Sequence, residues 1–100
     1  MKAALTEQKI QEALNSLAGW RFESNAIHRE YNFSSFTEAM GFITEMAFAC
    51  EKANHHPELL NVYSKVRISL TTHDAGNKVT EKDLDLAKTI ETIAQTRLKE

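Results

Sequence analysis

A strict alternation past the middle of the chain limits the fold more than any other feature. Val66, Ile68, Leu70 and Thr72 fall on one side of an extended run, and Lys65, Arg67, Ser69, Thr71 and His73 fall on the other. Successive side chains of a strand point to opposite faces, so period two with β-branched residues predicts a strand buried on one face and solvated on the other. The run reads as one strand within Asn61 to Thr72. Such a sheet needs cover on one face only.

Helical spacing supplies that cover. Ile10, Ala13, Leu14 and Leu17 recur at steps of three and four, which predicts a helix over 6–17 with Thr6 as N-cap and Gly19 as its stop. Ser35-Phe36-Thr37-Glu38 fits a capping box. The helix it opens carries Phe36, Ala39, Met40, Ile43, Met46, Ala47 and Cys50 on one face and ends near Asn54. Thr80, supported by Asp83, caps a last helix whose inner stripe is Leu84, Ala87, Ile90, Ala94 and Leu98. Between the first two helices, Trp20–Glu23 and Ala26–Phe33 flank Ser24-Asn25 as a hairpin. The order helix, strands, helix, strands, helix predicts an α+β layer, an antiparallel sheet with helices on one face.

One hundred residues suit one domain over 1–100, and 42 % hydrophobic with 26 % charged residues is an ordinary globular balance. A net charge of -2 lacks the basic footprint of a nucleic-acid binder and offers little to an anionic membrane surface. Neither a secretory signal nor a spanning segment is visible, so the expected setting is the cytoplasm. The one cysteine, Cys50, falls on the buried stripe of its helix and reads as structural rather than nucleophilic.

Phosphate-cradling glycine loops, a Gly-x-Ser-x-Gly elbow and zinc-finger spacing are all missing. Histidine is what remains. His55 and His56 precede the only proline, Pro57, and His73 ends the alternating strand. Proline pushes His56 toward extended geometry, so the two neighbouring rings diverge. If strand and helix end at one edge, the three imidazoles share a cleft, with Glu51 one turn upstream to bond a ring. Such groups exchange protons near neutral pH. A plain dipole contact at the helix end is the alternative for His55 and His56, a solvated turn for His73, and a three-histidine zinc site is a further one. His28 reads as a surface residue.

Glu51-Lys52-Ala53-Asn54-His55-His56-Pro57-Glu58, then Asn61-Val62-Tyr63, then Val66 to His73, closely resembles the pterin-4a-carbinolamine dehydratase family. Gly19-Trp20 and Asp83-Leu84-Asp85-Leu86-Ala87 extend the resemblance along the whole chain. It implies a four-stranded antiparallel sheet with three helices on one face, and assembly as a homodimer or homotetramer. It also implies dehydration of 4a-hydroxytetrahydropterin to quinonoid dihydropterin without metal or bound cofactor. This reaction regenerates the cofactor spent by aromatic amino acid hydroxylases. His55, His56 and His73 match the family's catalytic histidines. Glu51, Asn54, Pro57, Thr72, Asp74 and Asp83 match positions that bind substrate.

The chain departs from the family pattern in three places. Leu59 stands where many relatives have an aromatic residue, Asn54 where some have Asp, and the Asp74–Lys78 turn is about one residue longer than in animal members. Animal members also serve as dimerisation cofactors for a homeodomain transcription factor, so the resemblance carries a protein-binding alternative. A third reading is an accessory role in folate or molybdopterin metabolism.

Overall fold

The computed structural model describes residues 3–98. Among them the chain forms α1 (Glu7–Leu14), β1 (Arg21–Glu23), β2 (Ala26–Asn32), α2 (Phe36–Ala53), β3 (Glu58–Val62), β4 (Lys65–Leu70) and α3 (Glu81–Leu98), with a 3-10 turn at His73–Ala75. The four strands make one antiparallel sheet in the order β1-β2-β4-β3. Three helices and an antiparallel sheet are what the sequence patterns imply, and the count of four strands is what the resemblance implies.

Register explains which face is covered. Ile27, Arg29 and Tyr31 of β2 stand opposite Leu70, Ile68 and Val66 of β4. Val66, Ile68 and Leu70 have no exposed surface, and they pack in one core with Ala39, Phe42, Ala87 and Ile90 of α2 and α3. Tyr31, Phe33 and Phe42 join the layers, with the Phe42 ring centroid 5.3 Å from Tyr31 and 4.9 Å from Phe33. The alternate residues His28, Glu30, Asn32, Lys65 and Arg67 occupy the open face.

Four details differ from the sequence reading. α1 ends at Leu14 rather than Leu17, because the amides of Asn15, Ser16 and Leu17 bond three residues back and tighten the chain into turns. Leu17 is buried all the same. The single strand read within Asn61 to Thr72 is a hairpin, with β3 starting at Glu58 and a two-residue turn at Tyr63-Ser64. Tyr63 takes a left-handed φ of 55°, a place where Gly or Asn would have signalled the turn. The core face of α2 is Ala39, Phe42, Met46 and Cys50; Phe36, Met40 and Ala47 face outward. In α3, Leu86 is buried and Leu98 is exposed.

A half-buried polar cluster ties α3 to the sheet. Glu91 Oε1 accepts from Tyr31 (2.5 Å), Trp20 Nε1 (2.9 Å) and Arg29 Nε (3.2 Å), and Oε2 accepts from Gln95 (2.7 Å). Gly19 makes room for it. A Cβ there would stand 2.6 Å from the Arg29 guanidinium carbon, on a backbone whose φ of +90° already favours glycine.

Candidate active site

Helix α2 ends in a left-handed cap. Asn54 adopts φ 52° and ψ 45°, and the His55 amide bonds back to the Cys50 carbonyl at 3.1 Å. This is a Schellman-type closure with Asn in the place glycine usually takes. The reversal sends the rings of His55 and His56 apart, as the following proline requires.

His55 turns inward. Its Nε2 lies 2.5 Å from Asp83 Oδ1, in the first turn of α3, and both side chains are buried. Asp83 Oδ2 accepts from the Thr80 amide and from the Thr72 hydroxyl, each at 2.8 Å. Because Thr72 donates to the carboxylate, its oxygen accepts the Thr80 hydroxyl at 2.7 Å, and Thr80 in turn accepts from the Lys82 amide. Each donor in this chain has one available direction. Asp83 is thus both the support of the α3 capping box and the partner that holds His55 by Nε2. Among the described residues no buried side-chain N or O lacks a partner, so His55 Nδ1, which bonds no protein group, is not sealed from solvent.

His56 turns outward and bonds Glu51 Oε1 through Nε2 at 2.7 Å, so its Nδ1 is the free nitrogen. His73 sits where β4 runs into the 3-10 turn. The Thr72 amide closes this loop on the Lys78 carbonyl at 2.9 Å. His73 Nδ1 lies 3.1 Å from the Asn77 side-chain oxygen, an acceptor, so Nδ1 donates and Nε2 remains open.

These elements enclose a cavity of about 280 Å³ lined by Asn54, His55, His56, Thr72, His73 and Asp74, with Thr71 and Lys82 completing the wall. All three histidines therefore share one cleft. Each ring has one nitrogen engaged by the protein and one left over, and a left-over nitrogen can take or give a proton. Among the described residues no group of three or more His, Cys, Asp or Glu side chains is arranged to hold a metal ion.

A family model described as Pterin 4 alpha carbinolamine dehydratase matches residues 3–93. The chain belongs to this family. Its relatives within the pterin-4a-carbinolamine dehydratases include a protein of Opitutus terrae, 49 % identical over 94 residues that cover 94 % of this chain and 97 % of the relative. A protein of Rhodopseudomonas palustris is 50 % identical over 96 residues, covering 94 % of each. Both carry the provisional name pterin-4-alpha-carbinolamine dehydratase. The crystal structure of a transcriptional coactivator/pterin dehydratase from Brucella melitensis superposes with a TM-score of 0.86 at 41 % identity, over 91 % of this chain and 98 % of that one. A pterin dehydratase-like protein described as a RuBisCO assembly factor of the alpha-carboxysome matches with a TM-score of 0.61 at 18 % identity, over 75 % of this chain and 86 % of that one, which shows a shared fold alone.

The dehydratase positions carried over from sequence divide into three groups. Asn54, Thr72 and Asp74 line the cavity beside the three histidines. Glu51 is exposed and stands behind His56, and Pro57 lines a neighbouring cavity. Asp83 has no exposed surface and meets the cavity through His55 and Thr72, both of which bond its carboxylate. His28, read as a plain surface residue, is half-buried with both ring nitrogens bonded. Its pairing with Ser69 depends on strand register, which local sequence patterns do not show. Cys50 is buried, and burial followed by the nearby Glu51 charge pushes its thiol up, which suits a structural thiol.

Proposed function

We propose that the protein dehydrates 4a-hydroxytetrahydropterins to quinonoid dihydropterins, in the recycling of a tetrahydropterin cofactor, by acid–base catalysis on His55, His56 and His73 without a metal. One observation carries the reading. Three imidazoles meet in one cleft, each held by a protein acceptor through one nitrogen and each with its other nitrogen free.

The reaction breaks the C4a–O bond and removes the proton on N5. A protonated imidazole gives its proton to the departing hydroxyl, which leaves as water. A second imidazole takes the N5 proton, and the electron pair of that bond forms C4a=N5. One proton enters and one leaves, so the site returns to its starting charge after the two rings re-equilibrate. His55 and His73 form the proton-transfer pair, and His56 positions the pterin or shares the acid role. Asp83 orients His55, and Glu51 orients His56. Each proton transfer contributes about 10²–10⁴-fold. Asn54, Thr72 and Asp74 offer polar edges to the ring, and Pro57 fixes the turn after His56.

A second role is argued from the surface. Phe36, Met40 and Phe48 stand out from α2 with 49 %, 40 % and 74 % exposure. Apolar stripes of this kind mark protein contacts, and a second copy of the chain is the simplest partner. The protein accordingly works as a homodimer or homotetramer.

The test is ultraviolet absorbance of enzymatically generated 4a-hydroxytetrahydropterin, with and without protein, in excess chelator. Acceleration that survives the chelator is expected. A rate equal to the spontaneous one, in folded protein, would refute the enzyme reading.

A further inference from the structure

Among the three histidines of the cleft, only His73 is held by an uncharged side chain: His55 has Asp83 and His56 has Glu51, whereas His73 has Asn77. Asn77 takes a left-handed φ of 60°, directly after Gly76 at φ 76°. Its backbone amide bonds the Thr72 carbonyl at 3.1 Å, and the Lys78 carbonyl accepts from the Thr72 amide at 2.9 Å. Glycine or asparagine suits such a position, and glycine would serve the turn alone. The asparagine side chain adds an acceptor, its Oδ1, 3.1 Å from Nδ1 of His73. Both side chains are exposed. The bond is therefore kept by the two backbone bonds that close the loop on Thr72, next to His73, rather than by burial.

Asn77 belongs to the wall of the neighbouring cavity over His28, Glu58 and Ser69 and not to that of the cleft, so it acts on the reaction through the His73 ring. A free imidazole in water prefers its proton on Nε2, and an acceptor at Nδ1 reverses that preference. We propose that Asn77 is a positioning residue for His73. Its amide oxygen holds the neutral ring with the proton on Nδ1 and the lone pair on Nε2, where a proton from the substrate can be taken. The inference rests on the dehydratase reading above. Once a proton reaches Nε2 the ring is an imidazolium, and the Nδ1–H···O bond becomes charge-assisted and stronger. Stabilisation that grows as charge develops raises kcat more than it changes KM.

Nitrogen NMR of the full chain, with isotope-labelled histidine rings, reads the tautomer at about pH 8.5, where an ordinary imidazole is neutral. Signals lost in His73→Gln belong to His73. Wild type and Asn77→Asp should carry the proton on Nδ1, whereas in Asn77→Gly, which keeps the left-handed turn, it should move toward Nε2. Dehydration of the 6-methyl 4a-hydroxytetrahydropterin should then fall about tenfold in kcat in Asn77→Gly with KM within about twofold, and Asn77→Asp should stay within about threefold of wild type. A wild-type proton on Nε2, a tautomer unmoved in Asn77→Gly, or an unchanged kcat in that variant overturns the proposal. An equal loss in Asn77→Asp overturns it too, because the acceptor is still present there. No acceleration by wild type removes the dehydratase reading and this role with it, whereas acceleration with the proton on Nε2 removes the role alone.

Discussion

At Asp83 a single carboxylate joins the start of a helix to a histidine. It accepts from the Thr80 amide and the Thr72 hydroxyl while Nε2 of His55 points at its other oxygen. Asp83→Asn places an NH₂ group among donors, so thermal unfolding should show a loss of about 1–3 kcal/mol. Its effect on turnover should appear mainly in kcat, falling about 10²-fold with KM within a few-fold, because the ring is misaligned rather than the substrate unbound. An unchanged kcat in the folded variant would remove Asp83 from the mechanism. Asn54 makes a separate point: its φ of 52° favours Asn or Gly, so Asn54→Gly should cost a few tenths of a kcal/mol in urea unfolding and Asn54→Val about 1–2 kcal/mol. The three histidines were legible in sequence because His-His-Pro and the strand-end Thr-His announce themselves locally. The His55–Asp83 pair was not, since it depends on α3 folding back across 28 residues of chain.

At the scale of elements, the same contrast separates patterns from packing. The Ser35 and Thr80 caps and the alternation of β4 are set by neighbours in sequence, and they stand where their residues put them. On α2 the structure keeps Ala39, Met46 and Cys50 inside but turns Phe36, Met40 and Ala47 outward, because apolar residues surround most of that helix and periodicity alone does not single out one stripe. The Glu91 cluster was invisible for a related reason: its members come from the β1 approach, β2 and α3. Burial works against the Glu91 charge, but hydrogen bonds from Tyr31, Gln95, Arg29 and Trp20 outweigh it and hold the carboxyl below its ordinary range. Burial, reinforced by Glu91, pushes the Tyr31 hydroxyl up. A carboxyl lowered on folding stabilises the protein above its unfolded value, and that contribution is lost as pH falls through the lowered one. Wild type should therefore lose more of its urea midpoint than Glu91→Gln does on acidification below about pH 4.5. Parallel curves for the two proteins would show that Glu91 has no such role.

For the whole molecule, the sheet covers its inner face with helices and leaves its other face and the outer side of α2 to solvent. Among the described residues no helix is long and apolar enough to cross a membrane. The exposed Phe36, Met40 and Phe48 of α2 set the expectation for assembly. Sedimentation velocity should find dimers or tetramers at micromolar concentration, and Phe48→Glu should shift the distribution toward monomer with little change in melting of the isolated subunit. A monomer throughout in wild type would contradict self-association. The fold class was legible because one-sided alternation and three amphipathic stripes admit few arrangements. The neighbouring cavity over His28, Ser69 and Glu58 was not, since its three strands meet only through register.

The measurement closest to the central claim is single-turnover dehydration of 4a-hydroxytetrahydropterin by wild type, His55→Ala, His73→Ala and the double variant, with folding checked by circular dichroism. The account predicts losses of about 10²–10⁴-fold in each single variant and far less than the product of the two in the double. Full activity in folded His73→Ala would contradict it.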